Sequence, residues 1–103
     1  MFAKKNRLPI EEKNQLQKIC SSSCFVVKAT DNNLSRNRFG IIISNSAVKK
    51  STRRHFWKRV ISENLSKWPN LKKDFLFIVS SKIEGFKKEQ LKKEINRILE
   101  NIS

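Results

Sequence analysis

Apolar positions along this chain recur with two different periods, and the switches between them mark out its elements. Residues 24–30, Cys-Phe-Val-Val-Lys-Ala-Thr, are β-branched and aromatic enough to predict a strand. Arg38-Phe39-Gly40-Ile41-Ile42-Ile43 is apolar on both faces and predicts a central strand. Lys73-Asp74-Phe75-Leu76-Phe77-Ile78-Val79-Ser80 predicts another strand buried on both sides. Elsewhere the spacing is helical. A first short helix is signalled by Pro9 near its start and by Glu11 and Glu12 in its first turn, with Leu16, Ile19 and Cys20 on one side. Ser51 or Thr52 can cap a second helix running to about Lys67, which Trp68-Pro69-Asn70 ends. From about Gly85 a third helix carries Leu91, Ile95, Ile98, Leu99 and Ile102 as its apolar stripe. The polar run Asp31-Asn32-Asn33-Leu34-Ser35-Arg36-Asn37 reads as a hairpin connection. The order is α-β-β-α-β-α without repeats or linkers, so residues 1–103 form one α+β domain, an α-β sandwich.

Charge changes the picture more than length does. The 103 residues hold 23 Lys and Arg against 9 acids, a net charge of +14. Such an imbalance opposes folding by self-repulsion, so a polyanionic partner is its natural reason. Nucleic acid leads, and an anionic membrane surface is the alternative. No apolar stretch approaches the ~20 residues that span a bilayer, and Met1-Phe2-Ala3-Lys4-Lys5 opens no signal peptide, so a cytoplasmic protein is expected.

Candidate chemistry is sparse. Cys20 and Cys24 read as reduced thiols, because the single His55 is far along the chain and a zinc site needs about four close ligands. The acids are scattered, with no close pair to hold Mg²⁺, and Gly40 and Gly85 are too few for a phosphate-cradling loop. Neither a catalytic residue nor a protein-held metal is expected.

The densest positive charge is Val48-Lys49-Lys50-Ser51-Thr52-Arg53-Arg54-His55-Phe56-Trp57-Lys58-Arg59. On a helix it divides into two arcs. Phe56, Trp57, Val60, Ile61, Asn64, Leu65 and Trp68 share one half, while Arg54, His55, Lys58 and Arg59 spread over the other, with Lys50 just before them. The aromatics are then anchors rather than stacking platforms for bases, and the cations face outward to an anion. Arg53 falls toward the apolar half and is expected to swing clear. A phosphate backbone suits this face, since Arg offers a bidentate fork and Lys a point charge.

These stretches resemble the protein subunit of bacterial ribonuclease P. Residues 49–63 align without gaps with that family's signature helix, K-K-A-V-x-R-N-R-x-K-R-x-I-x-E. Asn6-Arg7-Leu8, Leu16-Gln17-Lys18-Ile19-Cys20, Phe25-Val26-Val27-Lys28, Arg38-Phe39-Gly40-Ile41 and Asp74-Phe75-Leu76-Phe77-Ile78 follow its other motifs in order. The chain departs from the pattern at His55 and Phe56, where the motif has Asn and Arg, and at Leu16 and Cys20, where it has aromatics. The resemblance implies an αβββαβα order, with one short strand beyond those predicted above and the basic helix in a β-α-β crossover. It further implies an RNA subunit that cleaves the 5′ leader from precursor tRNA with RNA-held Mg²⁺, the protein being a monomer in a ribonucleoprotein and inactive alone. Arg54, Lys58 and Arg59 would contact that RNA, with Lys49, Lys50, Arg53 and His55 in support. Leu16, Cys20, Phe25, Val27 and Lys28 would line the leader cleft. The other reading is a general structured-RNA-binding domain, like a small ribosomal protein.

Overall fold

The computed structural model of the chain describes residues 16–22, 24–32 and 36–102. Strand β1 (Gln17–Ser21) opens a four-stranded sheet with β2 (Phe25–Asp31), β3 (Arg38–Ile42) and β4 (Lys73–Val79). Helix α1 (Ser51–Leu65) joins β3 to β4, and a short 3₁₀ segment (Ser81–Gly85) leads into α2 (Lys88–Ile102). The spatial order is β1-β2-β4-β3, antiparallel except for the parallel pair β3 and β4. A parallel pair needs a crossover, and α1 supplies it.

Four expectations change. The predicted first helix lies largely outside the described residues, and its last turn is strand β1, the extra strand of the αβββαβα order. Here pairing wins over helical spacing. A tight turn, with Ser22 N–H donating to the Phe25 carbonyl at 2.9 Å, folds the segment back onto the free edge of β2. A bulge between Lys18 and Cys20 then lets Leu16 and Cys20 serve opposite faces. The polar run after β2 is not a hairpin, because β4 inserts between β2 and β3. For the same reason β3 is an edge strand rather than a central one, and β2 and β4 hold the middle. The second helix starts with Ser51 already inside it; Lys50 is the capping residue and makes no side-chain cap bond.

The sheet alternates as period two requires. Phe25, Val27 and Ala29 of β2, Phe39 of β3, and Phe75, Phe77 and Val79 of β4 face the helices and form the main core with Trp57, Ile61, Leu65, Leu91, Ile95 and Ile98. Trp68, just past α1, meets Phe39, Phe75 and Phe77 edge-on at 6.0, 5.3 and 5.8 Å between ring centroids. On the other face Leu76 packs with Leu16, Ile42 and Ile78 in a smaller cluster.

The loop after β2 is tied to the start of β4 by polar side chains. Asn37 donates to the Pro69 carbonyl at 2.9 Å and accepts from Leu71 N–H at 2.9 Å. Asp74, buried, takes a bidentate pair from Arg38 at 2.8 and 2.7 Å and a further bond from Asn32 at 2.8 Å. Burial pushes the Asp74 carboxyl up, but bonds from Arg38 and Asn32 and the guanidinium charge together hold it below its ordinary value.

Two outcomes follow from this packing. Trp57, 1% exposed, is an anchor, so Trp57→Ala should cost roughly 3–5 kcal/mol in denaturant unfolding; unchanged stability with lost RNA binding would make the ring a stacking platform instead. Asp74 binds its proton less readily when folded, so its contribution to stability is complete above the unfolded value of about 3.9 and disappears as pH falls through the lower folded one. Unfolding measured across that acid range should lose part of its pH dependence in Asp74→Asn; an identical slope in the variant would refute the assignment.

Candidate nucleic-acid interface

Between β3 and α1 the chain turns on its own hydroxyls. Ser44 Oγ accepts from Ala47 N–H at 3.1 Å and lies 2.9 Å from Ser46 Oγ. Helix α1 then begins with no acid in its first turn, so the helix itself supplies no counter-charge to its cations there. Trp57, Val60, Ile61 and Leu65 are buried against the sheet and α2, and Phe56 packs beside them half-buried.

The cations of residues 49–59 do not form one uniform face. Lys49, Lys50, His55 and Arg59 are exposed, and Lys58 is half-buried. Arg54 turns back on the connection, where its Nη1 donates to the carbonyls of Val48 and Lys49 at 2.9 Å each. Its guanidinium is part of the fold before it is part of any interface. Arg53 does not swing clear. Its guanidinium lies 4.8 Å from the Phe56 ring centroid and 5.5 Å from that of Trp57, and it pairs with Glu84 at 3.3 Å. With Ser46, Ala47, Lys49, Lys50, Ser81 and Glu84 it lines a cavity of about 540 Å³. The structure thus gathers Lys49, Lys50 and Arg53 at one end of α1 and leaves His55 and Arg59 outward.

The residues expected to line a leader cleft divide between the two sides of the sheet. Phe25 and Val27 are 1% and 0% exposed in the core beneath the helices, and no nucleotide reaches them. Their removal from the cleft follows from the alternation along β2. Cys20 pairs with Val27 on that same side and lines a cavity with Glu94, Arg97 and Asn101 of α2. Lys28 belongs to the opposite face, with Leu76 as its Cα partner on β4, and Leu16 is buried on that face against Leu76, below the surface expected of a leader contact. Lys18 stands directly across from Lys28 on β1, and Val26 opposite Ile78 completes the strip. Lys18, Val26 and Ile78 share this face without being among the residues expected there, and for Val26 a strict period-two reading of Phe25-Val26-Val27-Lys28 carries the signal. Like charges directly opposite on a sheet destabilise it, and an anion lying across Lys18 and Lys28 relieves this.

Burial raises both thiols above their usual value, that of Cys24 to about 11, so they stay protonated near neutrality. Among the described residues no group of three His, Cys, Asp or Glu could hold a metal ion. No described helix is long and apolar enough to cross a membrane.

A cation-bearing helix in a parallel crossover, on a sheet whose other face mixes lysine with aliphatics, defines a small basic α+β RNA-binding protein. The family model for Ribonuclease P matches residues 10–103. The chain therefore belongs to the ribonuclease P protein family and serves as a protein subunit of that enzyme, partnered with its RNA in a ribonucleoprotein. Among solved structures, it is similar to the RNase P protein of Thermotoga maritima at 21% identity and TM-score 0.79, covering 94% of this chain and 97% of that one. It is also similar to the Staphylococcus aureus RNase P protein, at 21% identity and TM-score 0.80 over 92% of this chain and 93% of that one. A mutant of the latter with defective mRNA degradation activity gives 23% and 0.82 over 94% and 87%. No curated protein sequence matches the chain.

The two arginine roles are separable. Arg59→Ala should flatten the log–log salt dependence of RNA binding by about one unit without moving the melting temperature. Arg54→Ala should lower the melting temperature, because two carbonyls lose their donor. Equal melting of parent and Arg54→Ala would return Arg54 to the RNA face.

Proposed function

We propose that this subunit assists a catalytic RNA in removing the 5′ leader of precursor tRNA, acting as a cytoplasmic monomer within the ribonucleoprotein. The observation that carries this reading is the family match over residues 10–103 together with two separate cationic surfaces on one small domain. The end and outward face of α1, with Lys49, Lys50, Arg53, His55, Lys58 and Arg59, bind the RNA subunit. Arg54 contributes by shaping the connection from which those cations project. The sheet face bearing Lys28, extended by Lys18, Val26 and Ile78 over the buried Leu16, receives the extended single-stranded leader, whose phosphates meet lysine and whose bases meet the half-buried aliphatic side chains.

Bond cleavage belongs to Mg²⁺ held by RNA phosphates, and the protein's own residues supply electrostatics. Cationic side chains offset the phosphate repulsion that builds up when leader, tRNA and catalytic RNA come together. That contribution is largest when little metal is present to screen the charge.

Reconstitution with a bacterial-type catalytic RNA tests this. The protein should raise precursor tRNA cleavage at low Mg²⁺ and cleave nothing alone. Lys28→Ala should reduce the gain that depends on the leader while leaving RNA-subunit binding nearly intact. Cleavage by RNA-free protein, or no enhancement with any such RNA, would sink the reading.

A further inference from the structure

Among the described residues, Arg53 is the one cation of residues 48–59 that pairs with a carboxylate. The pair is loose. Nε and Nη2 of Arg53 reach the same Glu84 oxygen, Oε2, at 3.4 and 3.3 Å, and Trp57 Nε1–H donates to it at 3.4 Å. Arg53 and Glu84 side chains are 42% and 39% exposed, so solvent screens their attraction. A phosphate gives a guanidinium shorter, charge-assisted bonds of about 2.7–2.9 Å, often two at once.

The surroundings favour such an exchange. Arg53 Cζ lies over both the Phe56 and the Trp57 ring, contacts that hold the guanidinium in place independently of the anion it meets. Lys49, Lys50 and the hydroxyl-bearing Ser46 and Ser81 line the same cavity, in which Glu84 is the one acid among the described residues. At about 540 Å³ the cavity has room for a phosphodiester. Lys88 of α2, with Nζ 5.3 Å from the Phe56 ring centroid, adds positive charge beside it.

We propose that Lys49, Lys50 and Arg53 form a phosphodiester pocket whose built-in counter-ion is Glu84, and that RNA backbone displaces Glu84 from Arg53. The proposal rests on the RNA-binding reading of α1 and adds what regulates that site. A polyanion drawn only by net charge leaves the Arg53–Glu84 pair standing. A phosphate seated in the cavity replaces it and gains the stronger bonds. Glu84 therefore lowers affinity for loosely placed RNA and sharpens selection for RNA that fits.

The full chain titrated with a bacterial-type ribonuclease P RNA across a salt series reads this directly. Glu84→Gln, which keeps an acceptor for Trp57, should bind several-fold tighter and steepen the log–log salt slope by about one unit. In an Arg53→Ala background the same change should alter neither, because the effect runs through Arg53. Inorganic phosphate should shift the indole N–H resonance of Trp57 in the parent and not in Arg53→Ala, with the buried indole of Trp68 as the internal control. Parental affinity and slope in a normally folded Glu84→Gln, or an equal gain with Arg53 absent, would overturn the pocket. Because these readouts are binding and resonance shifts, a failure to enhance cleavage counts against the precursor-tRNA reading and not against the exchange.

Discussion

The structure depends on an aromatic clasp that holds a positively charged helix against a positively charged protein. Trp57 and Trp68 insert between α1 and the sheet, and Trp68 closes on Phe39, Phe75 and Phe77. Burying a Trp removes about 150–250 Å² from water, worth roughly 4–6 kcal/mol per ring before entropy. Crowding exposed like charges along a helix costs only about a few tenths of a kcal/mol per pair. The rings win by an order of magnitude, which is how Lys49 to Arg59 can be concentrated on one element of a chain with net charge +14.

Strand order decides what that clasp presents. Because β4 lies between β2 and β3, the chain must cross over from β3, and the crossover lays α1 on one face of the sheet. The opposite face is left to Leu16, Leu76, Ile78 and the Lys18–Lys28 pair. Two cationic surfaces of different character result. One is a helix end with guanidinium and ammonium groups around a cavity, suited to folded RNA. The other is a flat mixed strip, suited to an extended strand. The Arg38–Asp74–Asn32 network braces the end of the sheet where both strands beside β4 meet their loop.

Arginine and lysine divide the labour within that charge. Arg38 is committed to a buried carboxylate, Arg54 to two carbonyls, and Arg53 to two rings and Glu84. Arg38 uses the planar fork on both oxygens of Asp74, Arg53 sets its guanidinium over two rings, and Arg54 serves both carbonyls from Nη1 alone. Lys49 and Lys50 remain exposed, as does Arg59. The formal charge therefore overstates the surface available to RNA, and on the other face Lys18 and Lys28 stand directly opposite each other.

The sequence by itself determined the β2, β3 and β4 segments, the basic helix with its aromatic anchors, the amphipathic α2 and the family. Each of these is written in local periodicity or in motifs that lie along the chain. It also placed His55 and Arg59 on exposed positions, since helical spacing separates them from Trp57, Val60 and Ile61, whereas Arg54 and Lys58 on the same arc are half-buried. What only the tertiary structure decided are the choices between equivalent local readings. Leu16, Ile19 and Cys20 have helical spacing, yet residues 17–21 pair with the open edge of β2, a partner that no window of sequence contains. Arg38–Ile42 is as apolar as a central strand but ends at the edge, because which strand inserts between two others depends on the path of the whole chain. Phe25 and Val27 share a segment with Lys28, and alternation separates them; only packing says which side the helices cover. Arg53 and Arg54 are neighbours with the same charge, and their different tasks come from Glu84, 31 residues from Arg53, and from the carbonyls of the connection. Such partners are set by three-dimensional proximity, to which local spacing is blind.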